Sequence, residues 1–482
     1  MTRSTIDFGI DLGTTNSSIA VVVDGRPQPI RNNEQHEITP SAVIIDRNGA
    51  ISVGRRAYEQ AEVRPETVAR EFKRAMGTEK SFTLSGRAMT PEELSAEVLK
   101  ALRADVQARL GESIDAAVIT VPALFTLAAC EATGRAARLA GLEHAPLLQE
   151  PIAAGLAYGA QDADASGYWL VYDLGGGTFD ASLMTLREGR LQVVDHAGDD
   201  FLGGKNLDDA LVDYVVEELR RQHRFGGTVR GENPRYRRTY AHLKRQCEEA
   251  KIRLSREPHA VVEVVNVTDD DDNPVDTYID VSRERYEQLV APLVSRTTKI
   301  IHELLETNRV PASAVRRVLM VGGPTLTPYV RQRVRDETGI ELETRFDPMT
   351  VVAQGAALYA ASVFRDKQAT VAAAVPPGGI RMDLRYSPVS DDTEVMVGGR
   401  LEGGTEPGIT IQVERTDGGW SSGRVPVANG TFVSSVVLRP REVNTFVLRA
   451  FDRTGGRIPV VPDSFAITQG LVVDDPPPFR AL

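Results

Sequence analysis

The hydrophobic and polar positions of this chain fall into two regimes. Up to about residue 366, short apolar runs alternate with segments of helical period; beyond Ile380 only strand patterns recur, separated by turn signals. Residues 5–56 read as strands joined by short turns, and Arg55–Ala75 has helical spacing with Lys73 near its end. Pro91–Ala108 is amphipathic, and Thr90, Pro91 and Glu93 give it a hydroxyl cap, a first-position proline and a capping-box glutamate. Further helices are predicted over Ala128–Ala140, Ile152–Tyr158, Asn206–His223, Tyr236–Ser255, Glu284–Asn308 and Thr350–Phe364. Strands are predicted over Ala116–Val121, Leu191–His196, Ala260–Val267, Tyr278–Val281 and Val318–Val321. The four aspartates Asp269–Asp272 lack calcium-loop spacing and read as an exposed hairpin tip.

Two stretches carry chemistry. In Tyr168–Asp180 an apolar strand ends at Asp173-Leu174, three glycines (Gly175, Gly176, Gly177) make the bend, and Thr178 and Asp180 open a second strand. Without Cβ atoms the bend admits a ligand close to the backbone, and its converging N–H groups favour an anion. Asp173, Thr178 and Asp180 flank that concavity. Carboxylates repel phosphate, so a divalent metal is the natural intermediary, and Mg²⁺ takes one or two carboxylates together with water and phosphate oxygens. Phe8–Ser17 repeats the plan: apolar strand, Asp11-Leu12-Gly13, the small polar run Thr14, Thr15, Asn16, then a strand over Ser18–Val23. Two such hairpins facing each other would clamp a triphosphate and its metal from both sides.

These two loops resemble the phosphate loops of the DnaK-type (70-kDa heat-shock) chaperone ATPases, which belong to the actin and sugar-kinase superfamily. Collinear segments agree: Thr39–Ser41, Phe72–Arg74, Ile119–Pro122, Gln149–Pro151, Phe201–Gly204, Glu248–Lys251 and Val321–Gly323. The resemblance covers about residues 5–365. It implies an α/β fold, a two-lobed actin-like ATPase with duplicated ribonuclease-H-like subdomains, working on ATP/ADP with Mg²⁺. By the same resemblance Asp11 and Asp173 hold the metal through water, Lys73 reaches the γ-phosphate and attacking water, and Glu150 orients that water or accepts its proton. Thr178 and Asp180 line the same site. Gly13, Thr14, Thr15, Asn16, Gly176 and Gly177 hold phosphates, and Gly203 and Gly204 touch the nucleotide from the second lobe. Glu248, Lys251 and Ser255, on one helix face, match the ribose and adenine contacts, and Gly322-Gly323 allows the close approach an adenosine needs.

The chain departs from the family's pattern in places. Leu326 stands where an arginine stacks on adenine, and Met349 replaces a polar residue nearby. Cys130 occupies the position of an arginine that couples nucleotide state to the partner domain, while Pro122 of that switch is retained. After Phe364 an Ala/Val/Pro/Gly linker (367–379) replaces the family's leucine- and aspartate-rich one. The expected division is an ATPase domain at 1–366, that linker, an immunoglobulin-like β-sandwich at 380–473, and a flexible tail at 474–482. Trp420 is expected in the sandwich core.

Composition narrows the partners. The 482 residues are 41 % hydrophobic with a net charge of −11, which argues against nucleic acid. The two cysteines, Cys130 and Cys247, allow no disulfide framework or zinc spacing, so a reducing cytoplasm is expected. No secretory signal and no membrane span are expected from the pattern. The resemblance implies an unfolded polypeptide or a co-chaperone as partner; the partner of the β-sandwich is unknown. The expected function is a chaperone-type ATPase without a recognisable standard peptide-binding domain. The alternative is a nucleotide-switched interaction or scaffold protein whose sandwich binds a partner.

Overall fold

The computed structural model describes residues 5–61, 63–159, 166–187, 190–363, 376, 378–386, 389–390, 392–402, 408–428, 430–440, 443–469 and 472–473. Most of the expected linker and the tail at 474–482 lie outside these residues.

Two sheets built to the same plan organise the first 363 residues. In the first, the order is Leu147–Gln149, Val118–Val121, Phe8–Asp11, Asn16–Val23 and Arg26–Pro29. In the second it is Leu342–Glu343, Val315–Val321, Gly167–Leu174, Phe179–Arg187 and Arg190–Asp199. Each sheet runs parallel, parallel, then antiparallel through its glycine hairpin and the strand after it. The repeated sequence motif is therefore a repeated half-domain. Each sheet has its own core: Phe8, Ile10, Ile19, Leu99 and Ile119 in the first lobe; Tyr172, Phe179, Leu211, Val262 and Tyr286 in the second.

Between the lobes lie two helices of small residues, Glu150–Gly159 and Val351–Ala360. A Cβ on Gly355 would collide with the carbonyl of Ala153, and one on Gly9 with the backbone of Ala356 and Ala357. Glycine here lets helix, helix and strand touch backbone to backbone. Trp169, Val171, Leu319 and Val321 pack with these helices as a third core.

The predicted helix over Arg55–Ala75 is corrected. It is helical only over Arg55–Gln60; a 3₁₀ turn at Pro65–Thr67, a strand at Val68–Arg70 and a second 3₁₀ turn at Phe72–Ala75 follow. Pro65 lacks the N–H a helix needs and disfavours helical geometry before it. Val68–Arg70 instead pairs with Ala42–Ile45. Glu71 then adopts a left-handed φ of 56° and turns the chain so that Lys73 points inward. The other long helices form close to their predicted bounds, and the Thr90–Glu93 capping box is present on both sides. Asp269–Asp272 is the tip between strands His259–Thr268 and Pro274–Ser282, where Asp270 accepts hydrogen bonds from Arg235, Tyr236 and the Gly226 amide.

From Ile380 the described residues are strands in two sheets. One holds Ile380–Arg385, Glu394–Glu402, Thr431–Val437 and Val460–Val461; the other includes Thr410–Arg415, Val443–Phe451 and Ser464–Gln469. Both contribute to one core containing Met382, Val397, Ile411, Val413, Phe432, Phe446 and Phe465. Trp420 packs edge-on against Phe446 with ring centroids 6.0 Å apart. Val472–Val473 leaves this region and pairs in parallel with Arg190 and Leu191, at the edge of the second-lobe sheet.

Candidate functional site

The two glycine turns meet between the lobes. A Cβ on Gly176 would collide with the Thr15 side chain, so the first turn of one hairpin rests on the bend of the other. Each turn is built from its own lobe. Ser41 donates to the Gly13 carbonyl at 2.8 Å and shares a 2.8 Å hydrogen bond with Ser17. Gly175 donates to the Thr178 carbonyl at 2.9 Å, and the amides of Gly204 and Lys205 donate to the carbonyls of Gly175 and Gly176. Gly203 lies so close to Gly177 that any Cβ would strike it. Gly13, Thr15, Gly176, Gly177, Gly203 and Gly204 are thus one assembly. Thr14 and Asn16 flank it in sequence on the first turn.

The lobes are also tied by charged side chains. Arg74 donates to the Gly177 carbonyl at 2.6 Å, and Lys205 pairs with Glu71 at 2.9 Å. Neither Glu71 nor Lys205 was singled out from the sequence. Their contact spans 134 positions, and no local pattern signals it.

Beneath the turns lies a knot of carboxylates around Lys73. That residue is 4 % exposed and donates to Glu150 Oε1 at 2.6 Å. Its ammonium also lies 5.5 Å from the centre of the Phe125 ring. Burial, then the charge of Glu150, pushes Asp11 up to about 7, against Lys73 and a 3.2 Å hydrogen bond from Thr120. Burial, Glu150 and Asp200 push Asp180 up to about 7, with Lys73 and the Thr178 hydroxyl opposing. Asp173 is driven well above the usual carboxylate range by burial and by Glu150, Asp180 and Asp11. The structure therefore brings together Asp11, Lys73, Glu150, Asp173, Thr178 and Asp180.

This donor set fits a hydrated divalent cation. The carboxylates outnumber the opposing lysine, and their burial beside one another disfavours ionising them together without added positive charge. Among the described residues no group of three or more His, Cys, Asp or Glu side chains is arranged to hold a metal ion by itself. A cation that keeps most of its waters and uses one or two carboxylates matches that arrangement.

The predicted ribose and base contacts form a second group. Glu248 accepts a 2.9 Å hydrogen bond from Tyr58 of the first lobe, and Lys251 pairs at 2.6 Å with buried Asp208. The Ser255 hydroxyl donates back to the Lys251 carbonyl at 3.2 Å. The Lys251 ammonium and the Pro324 ring both approach Gly204, which joins this group to the glycine assembly. Gly322 takes a left-handed φ of 87° against the Leu174 carbonyl, and Gly323 abuts Met349. Leu326 is 38 % exposed and Cys130 is buried.

Two lobes of like topology thus meet through paired glycine turns above buried carboxylates. Residues 7–373 match the sequence model of the Hsp70 protein family, and the chain belongs to that family. It is 37 % identical over 358 residues to the chaperone protein DnaK of Thermoplasma acidophilum, an alignment that takes in 73 % of this chain and 57 % of that chaperone. The chain thus spans little more than half the length of this curated relative. No helix among the described residues is long and apolar enough to cross a membrane.

Proposed function

We propose that this chain binds ATP with Mg²⁺ and hydrolyses it slowly, as a chaperone-type ATPase of the Hsp70 family. The observation that carries this reading is the buried Lys73–Glu150 pair set among Asp11, Asp173 and Asp180, directly beneath the joined glycine turns. Phosphoryl transfer asks a protein mainly for positioning and for charge stabilisation. Asp11 and Asp173 would hold the hydrated Mg²⁺, which neutralises phosphate charge when bound. Lys73 presents a cation held in place by Glu150 and Phe125. Glu150, released from part of that pairing, orients a water and takes its proton. Thr178 and Asp180 fix the wall of the site, and the amides around Gly13–Asn16 and Gly176–Gly177 bind phosphate oxygens. Glu248, Lys251 and Ser255 receive the ribose, and Gly322-Gly323 leaves room for the base.

The rest of the reading rests on family membership and on the sequence pattern. An unfolded polypeptide or a co-chaperone is the partner class, and the cytoplasm the location. The strands after Ile380 act as an immunoglobulin-like sandwich joined by the 367–379 linker, in place of a standard peptide-binding domain. A second reading, a nucleotide-switched interaction protein, is favoured by two observations: the family match ends at residue 373, and Val472–Val473 reaches back to the second lobe. Titration calorimetry with ATP, with and without Mg²⁺, followed by phosphate-release kinetics, tests the primary reading. Mg²⁺-dependent binding with slow release is expected. Absence of binding at millimolar ATP would overturn it.

A further inference from the structure

A narrow pocket lies behind the carboxylate knot. Glu150, Asp173 and Asp180 line it together with Leu124, Ser182 and His196. None of the residues of the two glycine turns lines it. Sheet register explains its course. Asp173 is opposite Asp180; one row further from the turn, Val171 is opposite Ser182 and Ser182 opposite His196. Side chains two residues apart share a face. The pocket therefore descends from the carboxylates by one row, past Ser182 and His196, towards Leu124, which is 51 % exposed. Its remaining wall is apolar, from Pro122 and Ala123 to Val321 and Val352.

The space open to water centres is about 20 Å³, enough for a single water molecule. A phosphate does not fit. A water here has polar side chains to bond among Glu150, Asp173, Asp180, Ser182 and His196, enough for the two to four partners that hold a buried water in place.

We propose that this pocket is a rear water passage: it supplies the hydrolytic water from the side opposite the glycine turns, with His196 and Leu124 setting its width. The proposal rests on the hydrolysis reading above. While a nucleotide is seated on the turns, the pocket offers water a route from the other side. His196 is a positioning residue here, acting through the space it leaves.

The test is a size series at His196 in the full chain: His196→Ala, His196→Phe and His196→Trp, each measured for ATP affinity and single-turnover hydrolysis. The rate is expected to fall as volume rises, at least fivefold from Ala to Trp, with ATP affinity constant within twofold. Should His196→Trp not fold, Leu124→Trp at the exposed mouth carries the same expectation. A rate independent of side-chain volume, or slowest in His196→Ala, overturns the passage while leaving the hydrolysis reading intact. Unmodified protein that binds ATP but never hydrolyses it overturns the hydrolysis reading, and the passage with it.

Discussion

Burial and the charges of Glu150 and Asp200 hold Asp180 protonated up to about pH 7, whereas the same side chain in the unfolded chain ionises near 3.8. Its contribution to stability is therefore full below 3.8, declines as pH rises, and is lost above about 7. Asp180→Asn removes the buried charge. In nucleotide-free, metal-free protein the variant should melt about 2 °C or more above the parent at pH 8, and the gain should shrink at pH 5. A gain equal at both values would contradict the assigned cause. Leu326 supports a second prediction. Leu326→Arg should tighten ATP about fivefold, the ~1 kcal/mol of a guanidinium–base stack, and should raise ATP-over-GTP preference in calorimetry. A parent protein more selective than the variant would refute it. At this scale the sequence was most readable where a motif places a residue: Asp11, Lys73, Glu150, Asp173 and Asp180 lie close together in the structure. Tyr58, Glu71, Arg74 and Lys205 were not readable as a set, because their contacts join positions 103 to 190 residues apart and leave no periodicity.

The two helices between the lobes work because they lack bulk. Gly355 meets the Ala153 carbonyl closely enough that even one methyl must move backbone. Gly355→Ala should therefore cost about 1–3 kcal/mol by overpacking, read as a lowered midpoint in urea, and should loosen nucleotide binding because Glu150 starts the facing helix. An unchanged midpoint would show that the helices can part freely. Elements with a full amphipathic period and a cap, such as Pro91–Leu110, were legible to within a few residues. The stretch from Arg55 to Ala75 was not. A helical spacing of apolar residues was read there, but Pro65 and the sheet edge of Ala42–Ile45 select turns and a three-residue strand instead. That outcome matters for the site, since a 3₁₀ turn rather than a helix end delivers Lys73 to Glu150.

At the scale of the whole molecule, the duplicated hairpin announced the duplicated sheet, and both lobes follow one strand order. The β-rich end was legible as strands, and Trp420 packs on its core as expected. The pairing of Val472–Val473 with the second lobe was not legible, because two residues carry no pattern. If the proline-rich linker decouples the two parts, a truncated chain of residues 1–368 should hydrolyse ATP within about twofold of the full chain, and unfolded peptide should not accelerate turnover of the latter. A several-fold change in either assay would mean that the contact at Arg190–Leu191 transmits a signal. All of this depends on the claim that the knot beneath the joined turns is a catalytic site. Single-turnover hydrolysis by Lys73→Ala and Glu150→Gln, with ATP affinity measured alongside, tests that claim most directly. Both variants should bind ATP and lose at least about tenfold in rate, ~1.4 kcal/mol in the barrier; both hydrolysing at the parent rate would contradict it.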